Sequence, residues 1–257
     1  MTALTTYAGD ERRLIVNADD FGRTPGINRG VAQAYEHGVV TSASLMVRWP
    51  AAVDAAAYSR TRPELSLGLH LDLGEWIYRD AEWRSVYAVV DTADATAVAA
   101  EAAAQIDAFR RMVGNDPTHL DSHQHVHLRE PVRDVVLQQG RSLGVPVRGY
   151  DPGVRHCGDF YGQTGAGEPW PDGITVAAMV EIIRSLGPGV TELSCHPGLD
   201  GDFDSVYRHE RATEVEVLCH PDARRGLEEN GVLLTAFPPA RVPPTPVGTA
   251  HEGASDV

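Results

Sequence analysis

Residues 119–128, HLDSHQHVHL, carry four histidines and one aspartate at alternate positions. In a β-strand, alternate side chains lie on the same face, so this pattern would line one face with imidazoles and a carboxylate. Several buried imidazoles are costly without partners, which favours metal binding. A strand of ordinary length ends near His123, so we expect His123 at the rim of a sheet and His119 deeper. His125 and His127 would follow in a loop, where they could support the metal ligands from behind or contact a substrate.

Other polar residues stand at the ends of further apolar runs of the sequence. The carboxyl ends of parallel strands meet at one edge of an α/β fold, so residues that are distant along the chain should converge there. Taken singly, each motif has a structural explanation, such as turn capping by adjacent aspartates or a hydrogen-bonded buried histidine. The convergent set comprises Asp19 and Asp20 after RLIVN, His70 in LSLGLHL, Arg148 in VPVRG and His196 after TELSC.

One carboxylate with two imidazoles is the pattern of a catalytic site for one divalent metal ion, with positions left open for water or substrate. The best candidates for these ligands are Asp20, His70 and His123. Zinc suits this donor set, and magnesium, manganese or cobalt can occupy mixed sites, so we predict one divalent ion, zinc or magnesium before manganese or cobalt.

The remaining polar residues fit proton transfer beside such a metal. Asp19 would act as a general base, and Arg148 could orient it by a charge-assisted hydrogen bond. His196 would approach from the opposite side as a general acid. The sequence therefore predicts a hydrolytic centre with acid, base and metal at one edge of the sheet.

Strands and helices alternate along the chain, which predicts an α/β fold with a parallel sheet. Seven such units suggest an irregular (β/α) barrel of the TIM type, with a doubly wound open sheet as the alternative. No GxGxxG or GxxxxGK[ST] motif follows the first predicted strand, which argues against a nucleotide-binding site. The predicted strands are residues 13–17, 42–47, 65–71, 118–123, 145–149, 191–195 and 232–237, and the clearest helices are 26–38, 98–114, 130–144 and 174–187.

Two long connections, residues 72–95 and 150–173, carry most of the aromatic residues outside these elements. Long loops in a compact domain are usually functional, so we expect aromatic walls around a cleft, with Trp76 and Tyr161 as candidate substrate contacts. Residues 1–237 form one predicted domain. Residues 238–257 are rich in proline and are predicted to be a disordered tail.

The composition excludes several functions. A formal charge of −14 and a pI of about 5.1 argue against binding nucleic acid or an anionic membrane through a basic surface. All cationic side chains are arginine, so Schiff-base and Walker-type lysine chemistry are ruled out. Three cysteines without a CxxC pair, no signal-peptide core and no stretch of ~18 apolar residues predict a cytoplasmic protein without a membrane span. A homodimer is the commonest assembly.

At these residues the chain resembles the YdjC-like carbohydrate deacetylases. The matching stretches run in family order over residues 13–237 and include NADDFG, LGLHLDL, PTHLDSHQHVHL, ELSCHPG and RATEVEVL. The resemblance implies an irregular barrel related to polysaccharide deacetylases, and a divalent metal held by Asp20, His70 and His123. It also implies Asp19 as base and His196 as candidate acid. The spacing alone does not decide which aspartate binds the metal; the resemblance assigns that place to Asp20.

The predicted function is hydrolysis of the acetamide of an N-acetylated sugar, such as a chito-oligosaccharide or a related amino sugar. One alternative is a two-metal amidohydrolase or phosphoesterase, because HQH and HVH resemble the HxH motif of those enzymes. Such enzymes usually place HxH on the first strand and often need a bridging lysine. The other alternative is a sugar-binding protein without catalysis. Measuring the number of bound metal ions per chain would distinguish these functions: one ion is expected for the deacetylase, two for the two-metal enzyme and none for the sugar-binding protein.

Overall fold

A computed structural model describes residues 10–79, 82–199 and 207–239. Within them the strands are β1 Arg12–Phe21, β2 Ser42–Leu45, β3 Ser66–Leu71, β4 Gly74–Arg79, β5 Glu82–Ala88, β6 Leu120–Ser122, β7 Val154–Cys157, β8 Gly189–Cys195 and β9 Val232–Leu234. The α-helices are α1 Pro25–His37, α2 Ala52–Arg60, α3 Ala95–Val113, α4 Val132–Leu143, α5 Val176–Ser185, α6 Arg208–Leu218 and α7 Pro221–Glu229, with short 3-10 segments at His123–Leu128 and Pro171–Ile174.

Seven strands form one parallel sheet in the order β6-β3-β2-β1-β8-β7, with β9 beside the first residues of β1. Each of its pairings is parallel, and helices connect most of the successive strands. The predicted α/β barrel-like fold with about seven parallel strands is therefore confirmed. Strands β4 and β5 form a separate antiparallel hairpin.

The two faces of the sheet differ in chemistry because side chains alternate along each strand. On β1, Leu14, Val16 and Ala18 belong to the main hydrophobic core, which includes apolar residues of the helices. The intervening residues Asn17 and Asp19 are also buried, but they take part in a polar network. The sheet thus buries apolar side chains against helices on one face and gathers polar side chains on the other.

Helix α1 illustrates how local sequence sets the frame of the site. The Thr24 hydroxyl accepts a hydrogen bond from the Ile27 amide at 3.1 Å, and Pro25 occupies the first turn, both of which favour a helix start. Gly30 lies against Gly198, where an added Cβ would come within 2.4 Å of the Gly198 Cα. This close approach holds α1 against the segment that follows His196.

Two regions differ from the sequence prediction. The predicted strand 145–149 makes only an isolated bridge between Val147 and Leu120, because Pro146 has no N–H to donate and Gly149, with φ +76°, turns the chain. Strand β8 pairs with β1 on one side, and on its other side it pairs with β7, which lies inside the predicted loop 150–173. The predicted loop 72–95 contains the hairpin β4–β5, whose alternating aromatic residues are typical of strands.

The predicted domain boundary stays a prediction, because residues 240–257 of the predicted tail lie outside the described part of the chain. In the part that is described, none of the helices combines the length and the apolar composition needed to cross a bilayer.

Candidate active site

The structure brings the three predicted metal ligands together at the carboxyl edge of the sheet. Asp20 is the last residue but one of β1, His70 lies on β3, and His123 follows β6 directly. Asp20 Oδ1 is 3.3 Å from His70 Nε2 and 3.0 Å from His123 Nδ1. All three side chains are buried, and ligand atoms of the three lie within 4.8 Å of one another.

This group fits a divalent cation. Within the described residues, Asp20 Oδ1 makes no hydrogen bond of ordinary geometry although it is fully buried. A buried carboxylate oxygen without a donor is costly unless a cation or a water satisfies it. Carboxylate and imidazole are also the donors that zinc and other first-row divalent ions take in catalytic sites.

The backbone explains how two adjacent aspartates serve one site. Successive side chains of a regular strand point to opposite faces. Asp20 has φ +65°, and the pairing of β1 with β2 shifts register between Ala18 and Phe21. A left-handed conformation costs a non-glycine residue ~1–3 kcal/mol, and such residues cluster at functional sites. The irregularity brings the carboxylates of both Asp19 and Asp20 within reach of the His70 ring.

Asp121 orients His70. His70 Nδ1 lies 2.7 Å from Asp121 Oδ1, so Nε2 faces Asp20. A carboxylate behind a metal-binding histidine fixes its tautomer and its ring orientation. Burial opposes protonation of His70, but Asp121 and Asp19 raise its pKa to about 10 without a metal. A bound cation would replace that proton as the positive charge among these carboxylates.

Asp19 is held by Arg148 through two parallel hydrogen bonds, 2.6 Å from Nη1 to Oδ2 and 2.7 Å from Nη2 to Oδ1. The Asn17 amide donates to Oδ1 at 2.8 Å. Burial favours the neutral acid, yet the Arg148 guanidinium outweighs it and holds the pKa of Asp19 well below its usual range. Asp19 is therefore a carboxylate at neutral pH, oriented by the Arg148 guanidinium.

Arg148 also bears on the number of metal ions. A second possible ligand group consists of Asp19, His70 and Asp121. Arg148 Nη2 lies 2.7 Å from Asp121 Oδ2 and 2.7 Å from Asp19 Oδ1, so a guanidinium already supplies the positive charge between these two carboxylates. This arrangement favours one metal ion over two.

His196 follows β8 and stands on the other side of Asp19, with Nε2 3.8 Å from Asp19 Oδ2. Its backbone N–H donates to Glu214, and its carbonyl accepts from Arg211 at 3.3 Å. The side chain is 17% exposed. Burial lowers the pKa of His196 to about 4, although Asp19 and Asp20 act in the opposite direction. The ring is therefore uncharged at neutral pH, so His196 must gain a proton before it can act as the predicted general acid.

Two of the candidate substrate contacts, Tyr161 and His125, lie next to other aromatic rings. The ring centroid of Tyr161 lies 5.3 Å from that of His196, and Tyr161 stacks on Tyr207 at 4.5 Å. His125 is half-buried, and its ring lies 5.3 Å from that of His156. These side chains can line a cleft beside the metal ligands. Trp76 is half-buried on β4.

His127 is the exception among these candidates. It is fully buried, with Nδ1 2.6 Å from Ser122 Oγ and Nε2 3.2 Å from the Arg148 carbonyl. Both ring nitrogens thus have protein partners, which leaves neither for a substrate. The structure corrects the expectation that His127 contacts substrate: it supports the Arg148 backbone beneath the cleft.

Sequence reasoning missed several charged residues that border the site. On α6, the Arg211 guanidinium pairs with Asp20, and the Glu214 carboxylate accepts from the Tyr207 hydroxyl at 2.5 Å. Both are buried, and Arg211 shares an i, i+4 stripe with the buried Val215. Charged residues on the apolar stripe of a helix are a signal that could have found them. The others are Arg23, Glu75 and Glu192.

Comparisons with known proteins agree with this geometry. A sequence profile described as "YdjC-like protein" matches residues 13–229. The chitooligosaccharide deacetylase of Salmonella newport (strain SL254) is 33% identical, with 88% of this chain and 98% of the relative covered. The carbohydrate deacetylase of Geobacillus stearothermophilus is also 33% identical, with 88% and 97% covered.

Solved structures share the fold of this chain. A putative cellobiose-phosphate cleavage protein from Enterococcus faecalis V583 aligns with a TM-score of 0.70 at 25% identity, over 88% of this chain and 98% of that one. A family 4 carbohydrate esterase from Streptomyces lividans aligns with a TM-score of 0.53 at 12% identity, over 88% and 92%, and shares the fold. Since the profile and both relatives cover most of the chain, this protein belongs to the YdjC-like protein family.

Proposed function

We propose that this protein is a metal-dependent carbohydrate deacetylase that hydrolyses the acetamide of an N-acetylated sugar, a chito-oligosaccharide or a related amino sugar. The observation that carries the proposal is the buried group Asp20, His70 and His123 with the Asp19 carboxylate beside it. The relatives that are 33% identical over 88% of this chain are named chitooligosaccharide deacetylase and carbohydrate deacetylase, which supports the substrate class.

Asp20, His70 and His123 would hold one divalent ion, zinc or magnesium, with manganese or cobalt as further candidates. When bound, the ion would act as a Lewis acid toward the acetyl carbonyl and toward water. The two imidazoles favour zinc over magnesium, which prefers oxygen ligands.

Asp19 would accept the proton of the attacking water, and Arg148 would keep this carboxylate ionised and oriented. Because its pKa is low, Asp19 would hold that proton only weakly. His196 Nε2 lies 3.8 Å from Asp19 Oδ2, and its uncharged ring can take up the proton and deliver it to the departing amine. His196 would thus become an acid during the reaction rather than before it.

Tyr161, His125 and Trp76 would contact the sugar. Tyr161 stacks on Tyr207 and adjoins His196, so it stands beside the proposed proton donor. His125 is half-buried, so the exposed part of its ring can contact the sugar. Aromatic faces suit the apolar faces of sugar rings.

The proposal includes a reducing, cytoplasmic location, which the three free cysteines Cys157, Cys195 and Cys219 support. It also includes a homodimer, the commonest assembly of soluble oligomers. Both alternative functions fit the site less well. A two-metal enzyme could use the second group Asp19, His70 and Asp121, but Arg148 already pairs with both of those carboxylates, and a non-catalytic sugar-binding protein gives no use for the ionised Asp19.

The test is an assay of acetate release from N-acetylglucosamine oligomers and from other acetylated amino sugars. Purified protein should release acetate, chelator should abolish the release, and added metal should restore it. The variants His70→Ala and His123→Ala should lose both metal and activity. Sugar binding that is unaffected by chelator, without acetate release from any substrate, would contradict the proposal.

A further inference from the structure

The two histidines of the candidate metal site differ at the ring nitrogen that faces away from Asp20. His70 Nδ1 lies 2.7 Å from the Asp121 carboxylate, which accepts its proton, so Nε2 is the nitrogen that faces Asp20. His123 Nδ1 faces Asp20 at 3.0 Å, but its Nε2 is 3.2 Å from Arg23 Nη1. Because a guanidinium has only donors, Nε2 must accept and the ring proton must reside on Nδ1.

This tautomer of His123 is unsuited to a metal ligand, since the nitrogen that faces the site carries the proton. Metal binding through Nδ1 requires the proton on Nε2, and Nε2–H requires an acceptor. Glu75 provides one: its Oε2 is 3.9 Å from His123 Nε2 and forms an ion pair with Arg23. Glu75 and Arg23 are both buried, so solvent does not replace either contact readily.

We propose that Glu75 is the positioning residue that makes His123 a metal ligand, and that Arg23 holds His123 in the non-binding tautomer when the ion is absent. In the change, the ring proton moves from Nδ1 to Nε2, so the imidazole gains and loses no proton overall. Glu75 closes on Nε2 as acceptor, while Arg23 leaves the ring and keeps its ion pair with Glu75. This inference rests on the metal site of the proposed function.

The hairpin contacts favour this role over a purely structural ion pair. Gln124, the residue after His123, accepts a hydrogen bond from the Trp76 amide at 2.9 Å and donates to the Trp76 carbonyl at 2.8 Å. These two hydrogen bonds between the Gln124 side chain and the Trp76 backbone tie the segment that contains His123 to the residue after Glu75. Glu75 therefore lies on a strand whose position is fixed relative to His123. Its Oε2 would have to move by only about 1 Å to come within hydrogen-bond distance of His123 Nε2.

Calorimetric titration of the metal-free full chain with Zn²⁺ tests the proposal. Glu75→Leu should weaken zinc binding about 10- to 100-fold, the usual loss when the partner of a metal-binding histidine is removed. Arg23→Met should strengthen it, because the competing donor is gone. A purely structural ion pair predicts that both variants weaken binding, and that result would overturn the proposal. Glu36→Leu, at an exposed ion pair with Arg62, is the control, and a Glu75→Leu affinity equal to the control's would overturn the proposal as well.

Each single variant leaves one buried charge without its partner, so folding is monitored by thermal unfolding. The double variant Arg23→Met/Glu75→Leu removes both charges and should fold. It should bind zinc more weakly than the single variant Arg23→Met, because Nε2–H has lost its acceptor. Zinc affinity equal to that of Arg23→Met would count against Glu75.

Imidazole ¹⁵N NMR provides a readout that is independent of affinity and of activity. In the metal-free protein His123 should carry its proton on Nδ1, and after zinc addition on Nε2. The same nitrogen protonated in both states would overturn the proposal. If the unchanged protein binds no zinc, the metal site of the proposed function fails together with this inference; zinc binding that is indifferent to Glu75 refutes this inference alone.

Discussion

Replacing Asp19 with asparagine separates proton transfer from metal binding. The Asp19 carboxylate accepts three hydrogen bonds, two at Oδ1 from Asn17 and Arg148 and one at Oδ2 from Arg148. An asparagine amide can keep its oxygen at Oδ1, but its NH₂ group would then face Arg148 Nη1, a second donor. The lost charge-assisted bond should lower the free energy of unfolding by ~1–3 kcal/mol. The network should persist, because Arg148 keeps Glu192 and Asp121 as partners.

The effect of Asp19→Asn on catalysis should be much larger than its effect on the metal. A general base contributes roughly 10²- to 10⁴-fold, so kcat for acetate release should fall by that factor, equivalent to ~3–5 kcal/mol in the activation barrier. Zinc affinity should stay within a few-fold, because Asp19 is outside the group Asp20, His70 and His123. The assay combines initial rates at saturating metal, zinc titration and thermal unfolding.

Glu192→Gln is the matched control for this substitution. Glu192 is buried and accepts from Arg148 Nε at 2.7 Å, so its replacement disturbs the same guanidinium. It should lower kcat far less than Asp19→Asn does. An Asp19→Asn protein with metal bound and kcat within tenfold of the unchanged protein would refute the assignment of Asp19 as base. Equal losses in both variants would show that Arg148 geometry, rather than proton transfer, sets the rate.

Three further predictions follow from the packing and the charges. Asp121→Asn should weaken zinc binding ~10- to 100-fold in a metal titration, because His70 loses the carboxylate that orients it; unchanged affinity would contradict that role. Gly30→Ala should lower the melting temperature and activity together, because its Cβ would meet the Gly198 backbone at 2.4 Å; a variant with both properties unchanged would show that the segment yields. The melting temperature of the metal-free protein should rise between pH 4.5 and 6.5, because burial lowers the pKa of five histidines from 6.5 to about 3 or 4, so the unfolded chain binds more protons in this window. Burial raises the pKa values of Glu192 and Glu214 from 4.5 to about 7 and 8, so the folded chain keeps these protons from pH 4.5 upward; this makes the rise smaller, and it should lower the melting temperature above pH 6.5, where the five histidines no longer contribute. A melting temperature that keeps rising to pH 8 would contradict the second half. The five histidines are His119, His125, His127, His156 and His196.

The sequence alone determined the fold class and most of the candidate metal group. Apolar runs alternating with amphipathic helices predict a parallel sheet, and the carboxyl ends of parallel strands share one edge. That rule predicts His70 and His123 near the pair Asp19–Asp20, whereas the choice of Asp20 as the ligand came from the family resemblance; the structure has ligand atoms of Asp20, His70 and His123 within 4.8 Å of one another. These inferences succeed because strand periodicity and strand ends are properties of neighbouring residues.

Only the tertiary structure decided which partners those side chains have. Arg211 reaches Asp20 from α6, and Glu75 reaches His123 from a hairpin in a region predicted to be a loop. The left-handed backbone conformation of Asp20 could likewise not be predicted from the residues around it. A buried ion pair depends on how distant elements pack and on which charges lose contact with water together. Local periodicity carries no information about that packing, so the protonation states of the site, and with them its chemistry, follow from the folded chain.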